Sequence, residues 1–83
     1  MNNQTEMSAS QTRLLRYLRE HISEHGFAPS IDEMTAACEW KSKSSASTFL
    51  DQLCDEGFIN RFPGKSRAIT ITRKGKAAKL PAL

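Results

Sequence analysis

The chain has 83 residues, 39% apolar and 25% charged, with a formal net charge of +3. That length allows one domain around one modest core. No apolar run reaches the ~20 residues of a membrane span, no export signal opens the chain, and two cysteines are too few for a disulfide framework. The expectation is a soluble domain in a reducing, cytoplasmic compartment.

Charge is divided unevenly. Residues 1–60 carry five Lys/Arg against nine acids, a net −4, while residues 61–83 carry seven Lys/Arg and no acid, a net +7. Such a basic half either meets a polyanion or is a solvated tail.

Residues 1–7 (MNNQTEM) are polar and without periodicity, and read as a loose arm. Ser8 with Gln11 is a capping-box pattern. Behind it Leu14, Leu15, Leu18 and Ile22 recur at helical spacing, and Gly26 supplies a stop, so a first helix is predicted over 9–25. Pro29 excludes helix at Ala28. Ser30 with Glu33 opens a second, short helix at Ile31 that buries Ile31, Met34 and Cys38 and ends near Glu39. Trp40 is expected in the joint that follows.

Ser42 or Ser44 caps a third helix, in which Ala46, Phe49, Leu50, Leu53 and Cys54 form a core-facing stripe closed by Gly57. The period then changes. A strand begins at Phe58 or Ile59, Pro63-Gly64 marks a turn, and RAITIT alternates with Ile69 and Ile71 inward. The remaining RKGKAAKLPAL is basic and poorly patterned. The fold expected is mainly α with a small β-hairpin: an arm at 1–7, a domain at 8–72 and a basic tail at 73–83.

The third helix poses a question. Its apolar stripe turns Ser44, Ser45, Ser47 and Thr48 mostly outward near the helix start, with Lys41 and Lys43 just before them. Short hydroxyls cost helix propensity compared with Glu, Lys, Gln or Ala. They do allow close approach to a grooved partner and can bond phosphate oxygens or base edges. The helix N-terminus adds unsatisfied N–H groups and partial positive charge. A serine-rich helix start that merely caps and solubilises is the simpler alternative. A short helix, a tight turn and a helix with a polar N-terminal face describe a helix-turn-helix, and the basic hairpin would be its wing. Lys65 and Arg67 lie nearest the wing turn, with Arg61 at its base.

From Met7 to Thr72 the chain resembles the N-terminal DNA-binding domain of LexA-type repressors. The residues that carry the likeness are REHISEHGFAPSIDEM (19–34), FL-x-x-L (49–53), EGFIN (56–60) and GKSRAITI (64–71). The resemblance implies a winged helix-turn-helix of three helices and a two-stranded wing. Its third helix would enter the major groove, with the wing against the backbone or minor groove. By position it implies base contacts at Ser42, Ser44, Ser45, Ser47 and Thr48 and a wing tip at Gly64, Lys65 and Ser66. Relatives usually have Gly in the turn between the second and third helices, where this chain has Glu39. They carry Asn and Glu on the recognition face where Ser44, Ser47 and Thr48 stand here. Asn pairs bidentately with adenine and Glu accepts from cytosine, whereas Ser reads either weakly. The chain is also expected to lack the self-cleaving serine-lysine peptidase domain, which in relatives provides dimerisation.

Enzyme chemistry finds little support. His21 and His25 stand at i, i+4, but no third ligand completes a metal site. The four glycines form no phosphate loop, and no serine has a nucleophile-elbow setting. No metal and no cofactor are expected. The function expected is a bacterial or phage DNA-binding transcriptional regulator, a repressor acting on double-stranded, palindromic operator DNA. It would be monomeric in solution and would dimerise weakly on DNA or join a second protein there. The alternative is a winged-helix module that docks on an acidic protein partner.

Overall fold

A computed structural model describes residues 8–62 and 69–80. They form α1 (Ala9–His25), α2 (Ile31–Ala37), α3 (Lys43–Asp55), β1 (Ile59–Arg61), β2 (Ile69–Ile71) and α4 (Arg73–Ala77). This is the mainly helical chain with a two-stranded antiparallel sheet that was expected. The arm at 1–7, the Pro63-Gly64 turn and residues 81–83 lie outside the described residues.

Local chemistry starts the first two helices. Ser8 Oγ accepts from the Gln11 N–H at 3.1 Å while Gln11 Oε1 accepts from the Ser8 N–H at 2.9 Å. Ser30 and Glu33 repeat the exchange at 3.1 and 2.7 Å. Each box satisfies two N–H groups that have no partner inside the helix. Gly26, at φ 81°, closes α1 with its N–H on the Ile22 carbonyl. Of the three residues expected to be buried by α2, Met34 and Cys38 are, and Ile31 is half-buried. Burial pushes the Cys38 thiol above its ordinary pKa, with the Arg13 charge acting in the opposite direction, as suits a packing residue.

The turn into α3 has an uncommon backbone. The Trp40 N–H bonds the Thr35 carbonyl and the Glu39 N–H bonds that of Ala36, the paired bonds of a Schellman motif. The residue in its left-handed position is Glu39, at φ 59°. A side chain there costs roughly 1–2 kcal/mol, and glycine returns part of that gain as unfolded-state entropy. Glu39→Gly should therefore raise stability by about 0.5–1 kcal/mol in urea unfolding; a lower midpoint would show that Glu39 is not strained.

Ser42 is the N-cap of α3, but its side chain caps no N–H; its hydroxyl meets that of Ser44 at 3.1 Å instead. At the other end the Gly57 N–H bonds the Cys54 carbonyl and the Phe58 N–H bonds that of Leu53. This is a second Schellman motif, here with glycine in the left-handed position at φ 82°. Ala46, Leu50 and Leu53 are fully buried against Leu14, Leu15 and Leu18 of α1, Met34 and Cys38 of α2, and Phe58, Ile59 and Ile69. Phe49 and Cys54 are half-buried at the margin of this core. Trp40 stacks on Phe49 with ring centroids 5.1 Å apart, so it packs against the middle of α3. The strands pair Ile59 with Ile71, Asn60 with Thr70 and Arg61 with Ile69.

The segment read as a basic tail differs from expectation. Arg73–Ala77 is a helix, and Ala78 and Leu80 pack against the core. The Thr72 hydroxyl accepts from the Gly75 N–H at 3.0 Å and donates toward the carbonyls of Gly57, at 2.6 Å, and Phe58, at 3.0 Å. Lys74 Nζ donates to the Glu56 carbonyl at 2.7 Å and lies over the Phe58 ring, while Arg19 holds the Ala78 carbonyl at 2.9 Å. A Cβ on Gly75 would stand 2.1 Å from the Phe58 carbonyl oxygen. Gly75→Ala must therefore push α4 off the α3–β1 turn, at about 1–3 kcal/mol; a variant that melts like the parent would show that α4 carries no stability.

Candidate nucleic-acid interface

At 100° per residue, Ser44, Thr48, Asp51 and Asp55 form one row on the side of α3 opposite its buried stripe. Ser44, Thr48 and Asp51 are exposed, and Ser45 and Ser47 flank the row half-buried. The exposed Lys41 and Ser42 lie in the turn just before the helix. Lys43, the first residue of α3, reaches back to Asp32 of α2 with Nζ 2.9 Å from Oδ1, both side chains being about 70% exposed. An exposed pair of this kind is weak and leaves Lys43 able to exchange partners. The N-terminal half of the helix thus gathers short hydroxyls and two lysines at its positive end.

The wing is represented at its base. Arg61 is half-buried in β1 and its Nη1 donates to Asp51 Oδ1 on α3 at 2.6 Å. Gly64, Lys65, Ser66 and Arg67, expected at the wing tip, lie outside the described residues. Other members of the basic half act inside the domain, since Lys74 binds a backbone carbonyl at the end of α3. The +7 excess is therefore partly a brace.

Asp51 escaped the sequence reading. Its spacing of three from Thr48 was enough to place it on the same face, but nothing local pointed to a partner in β1. His21 Nδ1 lies 2.9 Å from the Phe27 carbonyl, and its ring meets those of Tyr17 and Phe27 edge-on and that of His25 at a tilt, a packing role at the end of α1. Among the described residues no group of three or more His, Cys, Asp or Glu could hold a metal ion. No helix among them is long and apolar enough to cross a membrane.

A family model described as the LexA DNA-binding domain matches residues 4–68, which is most of the chain. The chain belongs to the LexA DNA-binding domain family. It is also 35% identical over 68 residues to the LexA repressor of Erythrobacter litoralis (strain HTCC2594). That match covers 82% of this chain and 29% of the repressor, so the chain spans under a third of that relative's length. Family membership makes this a winged helix-turn-helix DNA-binding domain, and α2, the Glu39 turn and α3 are its helix-turn-helix.

Proposed function

We propose that the domain is a bacterial transcriptional regulator, a repressor, that binds double-stranded operator DNA with α3 in the major groove. The observation that carries this reading is the exposed row of Ser44 and Thr48 beside Lys41 and Lys43. It lies opposite a fully buried stripe, at the positive end of the helix. Ser42, Ser45 and Ser47 complete the contact set on α3. The wing, with Gly64, Lys65, Ser66 and Arg67 at its tip and Arg61 at its base, lies against the backbone or minor groove. The DNA-binding unit is residues 8–72, braced by α4, and it acts without catalysis in the cytoplasm. One winged helix covers little DNA, about 600–1,000 Å² for single modules of this size. Two copies that are monomeric in free solution therefore pair on a palindrome.

Titrations at two or more salt concentrations, on a random duplex and on one selected from a pool, test this. Each phosphate contact contributes about −0.9 to the slope of log K against log salt. Lys65→Ala should weaken binding to all sequences alike and reduce that slope by about one. A full palindrome should bind more tightly than one half-site. Salt-independent binding, or none to any duplex, would leave the wing to a protein partner; equal affinity for palindrome and half-site would remove the pairing.

A further inference from the structure

We propose that Asp51 is a positioning residue for DNA binding, holding the base of the wing to the recognition helix through Arg61. The proposal rests on the reading of α3 as the DNA-facing helix. Asp51 follows Thr48 by three positions on the outward row, where an isolated carboxylate would face a polyanion. It is not isolated. Arg61 Nη1 lies 2.6 Å from its Oδ1, with the arginine side chain 31% exposed and the aspartate 66%. Alternation places Arg61 on the same side of β1 as the buried Ile59. Its stem thus starts from the core side of the strand, and its guanidinium meets Asp51 at the helix surface.

Among the described residues this is the ion pair that joins α3 to the hairpin. A two-stranded hairpin is marginal alone, and among the described residues this one pairs three on each strand. The bond adds a fixed point at the end of β1 from which the wing departs. It also commits the Arg61 charge to Asp51, so Arg61 acts through the helix and not on a phosphate.

The two possible roles of Asp51 predict opposite signs. If it were only an acid on a DNA-facing helix, removing its charge would tighten binding to every duplex. If it positions the wing, Asp51→Asn should bind the selected duplex about two- to five-fold more weakly, the range expected of an exposed ion pair. A random duplex, whose backbone the wing also meets, should be weakened by a similar factor. The salt slope should not change, because no phosphate contact is lost. Asp51→Glu should recover most of the loss. Arg61→Gln should match Asp51→Asn, and the double variant should be no worse than either single one.

Tighter or unchanged binding of Asp51→Asn to the selected duplex overturns the proposal. So does a salt slope that falls by about one in Arg61→Gln, which would make Arg61 a phosphate ligand. Ser44→Glu, measured in parallel, separates the two levels of the argument. Undiminished binding by a folded Ser44→Glu variant removes α3 from the interface and takes the role of Asp51 with it. Loss of binding by Ser44→Glu, with parental binding by Asp51→Asn, overturns the role of Asp51 alone.

Discussion

Leu50→Ala should destabilise the domain by about 2–5 kcal/mol and lose DNA binding through unfolding. Leu50 is fully buried on α3, within the cluster supplied by α1, α2 and the hairpin. Removing its branched end sacrifices transfer free energy and leaves a cavity that the surrounding helices can only partly close. A domain of this size has about 5–15 kcal/mol in total, so the loss is a large share of it. The thermal midpoint should drop by about 10 °C or more. Calorimetry decides: an unchanged midpoint would mean that the buried face of α3 has been assigned to the wrong residues.

The second large effect is on binding alone. Ser44→Glu should reduce affinity for any duplex at least about a hundredfold while the fold stays intact. The new carboxylate lies in the first turn of α3, where the helix dipole favours a negative charge, so stability should hold or rise slightly. Against DNA the same charge meets phosphates across a closing interface, where like-charge contact costs several kcal/mol, and each 1.4 kcal/mol is tenfold. Gel shifts paired with circular dichroism check both halves. A folded variant with parental affinity would place the interface elsewhere.

What could be read from the sequence was local. The capping boxes at Ser8 and Ser30 span four residues each, and the stripe on α3 spans about two turns, so each carries its own cause. The misread features have causes far away in the chain. Helix α4 has only five residues with a glycine at its centre, which argues against a helix by propensity. It forms because Thr72 and Lys74 meet the carbonyls of Glu56, Gly57 and Phe58, and because Gly75 has no side chain to hold it off. The partnership of Asp51 with Arg61 crosses from helix to strand and leaves no periodic trace. The position of Ser42 was foreseeable; the turn of its hydroxyl toward Ser44 was not. The division of charge between halves was real, but it did not distinguish lysines that face outward from those that fasten one element to another.

The docking of α4 also sets the route by which the chain leaves the domain. Lys74 takes hold of α3 at Glu56, just beyond the C-terminal end of that 13-residue helix. At 1.5 Å per residue that is about 20 Å from the end where Ser42 and Ser44 stand, roughly the width of a DNA duplex. Helix α4 is therefore fastened at the end of α3 away from Ser42 and Ser44, and Leu80 after it packs against the core. The last described turn of the chain is thus tied to the opposite end of α3 from the hydroxyl row proposed to meet DNA.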